Sequence, residues 1–315
     1  MKLTLTAALF LGASNAQMFL GEEEDQTLYE EQAEEEAEWY DMMYGVPPEE
    51  RWKYEDPHAW RNQGYTPEQR AKLLLKAMNQ TEKFMMLSNY NKEVENEGWA
   101  GGTERIERLK IPRIRYQDGP QGFRDDDQHT TTTGWPCTLS LTNSWDRELT
   151  GWWGRAMGKE FKAKGAAVAL GPALNIARLP IDGRNFEYIS GEDPLLGAEL
   201  AGPATKGMQS AGIMANMKHW INNNQETNRG SQSANVDERT DFEVYYAPFQ
   251  ASIDAGVGSA MCSYNKVNHV YSCENKVTLN DHLRDLMGFE GFVMSDWGAV
   301  YGKADSYISA GCEQE

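Results

Sequence analysis

The chain has 315 residues, a formal net charge of −18 and four cysteines. An acidic balance of this size does not suit the phosphate backbone of nucleic acids, so we expect no nucleic-acid partner. The length allows one large α/β domain or two ordinary ones, and four cysteines are too few to frame the fold with disulfides.

The first residues have the layout of a secretory signal peptide. Lys2 supplies a positive charge, residues 3–12 form an apolar run, and Ser14-Asn15-Ala16 supplies small residues at a cleavage position. The run is too short to span a membrane. We therefore expect residues 1–16 to be removed and the product to be secreted, with no membrane partner after cleavage.

A strongly acidic segment comes next. Residues 22–38 contain ten acidic side chains and no basic ones, a composition typical of solvated, disordered chain. We assign residues 17–64 to a partly disordered N-terminal segment, for which a linker or solubilising arm is favoured over a binding role. Residues 65–315 are assigned to the folded domain.

Helical and strand-like patterns alternate from Tyr65 onward. Helices are predicted at residues 66–78, 146–164, 241–255 and 279–287. Strands are predicted at residues 113–117, 166–170, 212–217, 256–262 and 291–295. Apolar strands that alternate with helices indicate a parallel sheet covered by helices. Since no nucleotide-binding glycine fingerprint follows these strands, an α/β fold of the (β/α)8 TIM-like barrel type is favoured.

Polar side chains follow several of the predicted strands. They are Asp118, the pair Lys218-His219, Tyr264 and Asp296. In a barrel this position is the C-terminal face, where active sites form. A retaining glycosidase needs a carboxylate nucleophile, an acid/base group about 5 to 5.5 Å away and donors for sugar hydroxyls. Asp296, beside the aromatic Trp297, suits the nucleophile, although a lone Asp after a strand is more often a helix cap.

The remaining polar motifs leave alternatives open. Arg184 lies in a turn and is either a ligand for hydroxyls or part of a structural ion pair. The amide-rich residues 222–229 suit a polar ligand or plain solvation. Residues 125–129 lack the glycine and terminal glutamate of a calcium loop, so we expect no metal and no cofactor. Asn79-Gln80-Thr81 is a predicted glycosylation site at Asn79.

Seven motifs, in chain order from about Tyr65 to the end, resemble glycoside hydrolase family 3. They are Gln117-Asp118-Gly119-Pro120, Gly122-Phe123-Arg124, Gly183-Arg184-Asn185, Lys218-His219-Trp220, Asn224-Gln225-Glu226 with Arg229, residues 256–265, and residues 291–297. The similarity is greatest to the β-glucosidase branch of the family.

This resemblance implies hydrolysis of terminal non-reducing β-D-glucosyl residues, with Asp296 forming the covalent glycosyl-enzyme. The substrate would be a β-glucoside or a β-glucan oligosaccharide. The residues implied to surround its terminal glucose are Asp118, Arg124, Arg184, Lys218, His219, Met261, Tyr264 and Trp297. The resemblance also implies a disulfide between Cys262 and Cys273.

In two-domain relatives the acid/base Glu comes from a sandwich domain after the barrel. We expect this chain to stop at the eighth barrel strand without that domain, and Glu313 and Glu315 to be poor substitutes. The chain alone would then be weakly active or inactive. A non-catalytic sugar-binding remnant stays open. A β-xylosidase-type member is less favoured, because those relatives tend to carry Cys where this chain has Trp297. The sequence predicts no particular oligomeric state.

Overall fold

The computed structural model describes residues 56–88, 97–125 and 131–315. The predicted signal peptide, most of the acidic segment 17–64, and residues 126–129 of the acidic run lie outside the described residues. Within the described ranges, no helix is both long enough and apolar enough to cross a membrane.

Helices and strands alternate along the described chain. The α-helices are α1 (Pro67–Ala77), α2 (Gln80–Leu87), α3 (Thr138–Thr142), α4 (Arg147–Lys164), α5 (Pro194–Ser210), α6 (Glu238–Thr240), α7 (Ala247–Asp254) and α8 (Ala304–Ala310). The strands are β1 (Gly101–Gly102), β2 (Arg115–Asp118), β3 (Val168–Leu170), β4 (Met214–Trp220), β5 (Ser233–Ala234), β6 (Ser259–Cys262), β7 (Lys266–Val267), β8 (Val270–Tyr271) and β9 (Phe292–Ser295). Short 3₁₀ turns cover Ala59–Arg61, Glu107–Leu109, Asn185–Glu187 and Ser272–Glu274, and π-helical segments cover Asp241–Tyr245 and Val277–Leu286.

The main sheet has the strand order β1-β2-β3-β4-β6-β9. Strand β1 is antiparallel to β2, and β2, β3, β4, β6 and β9 are mutually parallel along the sheet. A parallel bridge between Met294 and Gln314 extends the pairing beyond β9. Strands β5, β7 and β8 form a separate small sheet. The predicted parallel sheet covered by helices is thus confirmed.

The sheet is a curled half-barrel, and eight barrel strands are not seen in the described residues. The segment expected to form the eighth strand, residues 311–315, instead follows the fifth parallel strand of the sheet. The alternating pattern favours a barrel of eight strands, although the sequence shows only five strand-like runs of this kind. A truncation at an eighth strand stays a prediction.

Alternate side chains of the parallel strands separate an inner from an outer core. The inner cluster is Tyr116, Val168, Leu170, Met214, Met261, Phe292 and Met294. Two residues beyond Tyr116 and Met294, Asp118 and Asp296 share the inner face. The inner face therefore carries the polar groups to the carboxyl ends of the strands, above an apolar floor.

Helices α4 and α5 pack closely on the outer face. A β-carbon added at Gly154 would lie 2.4 Å from the Ala204 carbonyl oxygen, and one at Gly207 would lie 2.3 Å from that of Gly151. Only glycine allows this approach of the two backbones. The predicted helix at residues 146–164 is confirmed as α4, and the Asp146 side chain caps it by accepting a hydrogen bond from Leu149 N at 2.9 Å.

Several features differ from the sequence predictions, among them the predicted helix 279–287, which corresponds to the π-helical segment Val277–Leu286. Helix α5 was not predicted, because Gly197, Gly202 and Pro203 interrupt its apolar pattern. The predicted helix 241–255 is a π-helical segment followed by α7. Lys218 and His219 lie within β4 rather than after it, because that strand pairs with β6 as far as Trp220.

Candidate active site

The polar cluster lies at the carboxyl ends of the parallel strands. Asp118 is the last residue of β2, Lys218 and His219 lie near the end of β4, Met261 lies in β6, and Asp296 follows β9. Because parallel strands end at the same edge of a sheet, side chains from distant parts of the sequence meet there. The structure thus brings together the strand-end residues that the sequence singled out.

Asp296 is a buried carboxylate with one oxygen held and one oxygen unpaired. Its side chain is part of a residue only 8% exposed. The Trp297 amide donates to Oδ1 at 2.9 Å, while Oδ2 has no hydrogen-bond partner among the described residues. His219 Nε2 lies 3.6 Å from Oδ2, and the Tyr264 hydroxyl also acts on the carboxyl, lowering its pKa. The backbone amide of Asp296 donates to the Cys262 carbonyl at 3.0 Å, which fixes the residue to β6.

The environment of Asp296 acts on its pKa in opposite directions. Burial raises the pKa of the Asp296 carboxyl above its ordinary value, while the charges of Lys218 and Arg184 lower it. Burial is the larger effect. The two cations therefore limit the cost of an ionised carboxylate that is almost removed from water.

Lys218 and Asp118 form the second polar layer of the pocket. Lys218 Nζ lies 3.8 Å from Asp118 Oδ1, and Arg124 Nη1 lies 2.9 Å from Asp118 Oδ2. The Arg124 amide also donates to the Asp118 carbonyl at 3.0 Å. Both carboxylate oxygens of Asp118 therefore lie beside cations. The carboxylate can still accept further hydrogen bonds, but its charge is compensated.

His219 is buried and held through its backbone. Asn175 Oδ1 accepts from the His219 amide at 2.7 Å, and Asn175 Nδ2 donates to the His219 carbonyl at 3.0 Å. Burial, with the charges of Arg184 and Lys218, lowers the pKa of His219 well below its ordinary value, so the imidazole is neutral. Sequence reasoning missed Asn175, because its role depends on a contact with a residue 44 positions away.

Arg184 pairs with two glutamates. Its Nη2 lies 2.5 Å from Glu187 Oε1, and its Nη1 lies 3.6 Å from Glu226 Oε1. Arg184 forms the ion pair that one alternative predicted, and its charge also lowers the pKa of Asp296, while its role as a ligand for hydroxyls stays a prediction. Sequence reasoning did not identify Glu187, although its place three residues after Arg184 in a short helical turn was a usable signal.

Trp297 and Tyr264 form the wall beside Asp296. The Tyr264 hydroxyl donates to the Trp297 carbonyl at 2.7 Å, and Trp297 Nε1 donates to the Ala100 carbonyl at 2.8 Å. The Arg229 guanidinium lies 4.0 Å above the Tyr264 ring centre. Met261, in the inner apolar cluster with Trp297 packed against it, belongs to the same wall.

The predicted disulfide between Cys262 and Cys273 is present at the end of β6. The buried thiol of Cys312 lies 3.7 Å from Cys262 Sγ. Asn79 is an exposed helix cap whose Oδ1 accepts from the Glu82 amide at 2.9 Å. Glycosylation of Asn79 stays a prediction.

The two C-terminal glutamates are engaged on the outer side of the sheet. Glu313 pairs with Arg284 at 2.5 Å and accepts from the Val293 amide at 2.7 Å. Glu315 hydrogen bonds to the Ser295 hydroxyl. Both glutamates are thus engaged with Arg284, Val293 and Ser295, and their unsuitability as the acid/base group stays a prediction.

The curled parallel sheet carries a polar cluster at the carboxyl ends of its strands. The model of the family described as glycosyl hydrolase family 3 N terminal domain matches residues 72–313. The chain belongs to this family.

Individual relatives extend this result. Beta-glucosidase 1 of Aspergillus aculeatus is 39% identical over 270 residues, which cover 80% of this chain and 31% of that protein. Thermostable beta-glucosidase B of Acetivibrio thermocellus is 43% identical over 223 residues, covering 68% of this chain and 29% of the relative. The chain thus spans about a third of the length of the curated relatives it matches.

Solved structures give the same match. Beta-glucosidase 3B from Thermotoga neapolitana, in complex with glucose, superimposes with a TM-score of 0.71 at 38% identity and covers 76% of this chain and 35% of that one. Beta-glucosidase D2-BGL from Chaetomella raphigera superimposes with a TM-score of 0.73 at 37% identity and covers 78% and 34%. The sequence identities of 38% and 37% are high enough to indicate a shared family as well as a shared fold.

Proposed function

We propose that this chain is the sugar-binding and nucleophile-bearing part of a secreted retaining β-glucosidase. The substrate is the terminal non-reducing glucosyl residue of a β-glucoside or β-glucan oligosaccharide. The names of the relatives, and the glucose bound in the Thermotoga neapolitana structure, support this substrate class. The signal-peptide pattern in residues 1–16 supports secretion.

The observation that carries the proposal is the state of Asp296. Among the buried carboxylate oxygens of the described residues, its Oδ2 alone lacks a hydrogen-bond partner. A buried polar atom without a partner is costly, and at the carboxyl edge of the sheet this carboxylate oxygen is available to a ligand or a reacting atom. In a double displacement, Oδ2 attacks the anomeric carbon while the glycosidic bond to the leaving oxygen breaks.

The groups around Asp296 have the chemistry needed to bind a glucosyl ring. Lys218 and Arg184 supply charged donors, and Asp118 supplies acceptors for neighbouring hydroxyls. Neutral His219 acts as a donor or acceptor without adding charge. The Trp297 indole, fixed through its Nε1, offers an aromatic face to the apolar side of a sugar ring. Arg124, Met261 and Tyr264 complete the proposed pocket.

The acid/base group is proposed to come from outside this chain. Glu187 and Glu226 pair with arginines, Asp118 pairs with two cations, and Glu313 lies on the outer side of the sheet. About two thirds of the length of Beta-glucosidase 1 lies outside the region that matches this chain. General acid catalysis contributes about 10²- to 10⁴-fold, so the isolated chain should hydrolyse ordinary glucosides poorly.

The test uses a substrate whose leaving group needs no proton. The chain is incubated with 2,4-dinitrophenyl 2-deoxy-2-fluoro-β-D-glucoside, and the labelled peptide is identified by mass spectrometry. We expect one fluoroglucosyl group on Asp296, slowed by competing glucose, and none in the Asp296→Asn variant. The exposed-site variant Asp285→Asn should label like the parent. Labelling of another residue, or faster labelling by the corresponding xyloside, would contradict the assignment.

A further inference from the structure

Arg229 lies in the turn that follows β4, where it contacts Glu226 and Tyr264. Its Nη1 lies 3.2 Å from Glu226 Oε1, and its backbone amide donates to the Glu226 carbonyl at 3.1 Å. The guanidinium carbon lies 4.0 Å above the centre of the Tyr264 ring. One face of the guanidinium therefore covers an aromatic ring while one edge is held by a carboxylate.

The Tyr264 ring in turn supports the backbone beside Asp296. Its hydroxyl donates to the Trp297 carbonyl at 2.7 Å, and the Trp297 amide donates to Asp296 Oδ1 at 2.9 Å. Trp297 is thus fixed at its amide, its carbonyl and its indole nitrogen, the last by the Ala100 carbonyl at 2.8 Å. A shift of the Tyr264 ring would release the carbonyl contact and free the turn that aims Oδ2.

We propose that Arg229 is a positioning residue, acting through the Tyr264 ring to fix the turn that aims Asp296 Oδ2 at the substrate, a role that rests on the function proposed above. Arg suits this task because its planar group stacks on an aromatic face and pairs with a carboxylate at the same time. Lysine would keep the charge and the pairing with Glu226 but would lose the planar contact.

The first measurement needs no catalytic activity. A 3-fluorotyrosine is placed at position 264 of the full chain, and its ¹⁹F resonance is compared in the parent, R229Q, R229K and R239Q chains. Arg239 is the matched control, since it pairs with Glu243 at 2.9 Å on an exposed helix outside the cluster. We expect the resonance to shift or broaden in R229Q, to change less in R229K and to stay unchanged in R239Q.

The second measurement is the rate of labelling of Asp296 by the dinitrophenyl fluoroglucoside. We expect the maximal labelling rate constant to fall about ten- to hundredfold in R229Q, because small displacements of a nucleophile have effects of this size. The reagent concentration for half-maximal rate and the final extent of labelling should change little. A variant that was merely less folded would instead lose labelling extent at an unchanged rate constant.

The outcomes separate the two proposals. A parent chain that does not label on Asp296 overturns the proposed function, and with it the role of Arg229. A labelled parent with R229Q at the parent rate, or with an unchanged ¹⁹F resonance, overturns the positioning role alone. R229K at the full parent rate also overturns it, because charge without the planar contact would then be sufficient.

Discussion

The Tyr116 hydroxyl donates a hydrogen bond of 2.9 Å to Oε1 of Gln314, a residue 198 positions later in the chain. Tyr116 belongs to β2, and Gln314 pairs beyond β9 at the other end of the sheet order. Gln314 Nε2 also donates to the Met86 carbonyl at the end of α2, at 3.1 Å. The two sides of the curled sheet are therefore joined by a buried polar contact beneath the pocket.

Tyr116→Phe tests whether this contact holds the sheet in its curled form. The variant keeps the ring in the inner apolar cluster but leaves Gln314 Oε1 without its buried donor. An acceptor left unsatisfied in this way costs about 1–3 kcal/mol of unfolding free energy. We expect a loss of this size in urea unfolding, while Tyr65→Phe at an exposed site should change stability little. Equal stability of the two variants would contradict the proposed role of the contact.

The sequence predicts the residues whose position depends on one strand, and misses those that depend on a distant partner. Asp118 and Asp296 are found because a polar residue after an apolar strand lies at the carboxyl edge of a parallel sheet. Asn175 and Gln314 carry no local pattern, because their partners are 44 and 198 residues away. The close packing of α4 on α5 is likewise not predicted from the sequence. Its glycines have low helix propensity, so they interrupt the helical pattern.

The glycines of α4 and α5 give a paired prediction of opposite signs. At Gly151 an added β-carbon would lie 3.6 Å from the nearest atom, whereas at Gly207 it would lie 2.3 Å from the Gly151 carbonyl oxygen. Alanine favours a helix over glycine by about 0.5–1 kcal/mol, but overpacking costs about 1–3 kcal/mol. We expect Gly151→Ala to stabilise the protein and Gly207→Ala to destabilise it in urea unfolding. A gain in unfolding free energy for both variants would contradict the prediction, since it would mean that α4 and α5 move apart to accommodate the added methyl group.

The two free cysteines should differ in reactivity. Cys312 is fully buried, and burial, followed by the charge of Glu313, raises the pKa of its thiol well above the ordinary value. Because the thiolate is the reactive form, we expect iodoacetamide to modify Cys137 and to leave Cys312 unmodified in the native protein. Both should react after unfolding without reductant, as read by peptide mass. Modification of Cys312 in the native state would mean that the end of β6 opens readily.

The raised pKa of Asp296 links the proposed nucleophile to stability. Below the ordinary pKa of Asp, the carboxyl is protonated in the folded and unfolded chain alike, and it costs nothing to bury. Between that value and the raised folded pKa, the folded state binds more protons than the unfolded state. Stability therefore falls as pH rises through this window, and the full cost is present above the raised folded pKa.

Asp296→Asn should consequently make the protein more stable at pH 7 while abolishing labelling by the fluoroglucoside. The amide keeps the shape of the side chain and can still accept from the Trp297 amide, but it carries no buried charge. The gain in unfolding free energy should shrink as pH is lowered toward the ordinary pKa of Asp, because the parent then becomes neutral too. Asp285→Asn, at an exposed site, is the control. A variant less stable than the parent at pH 7 would mean that attraction to Lys218 and Arg184 outweighs the cost of burial.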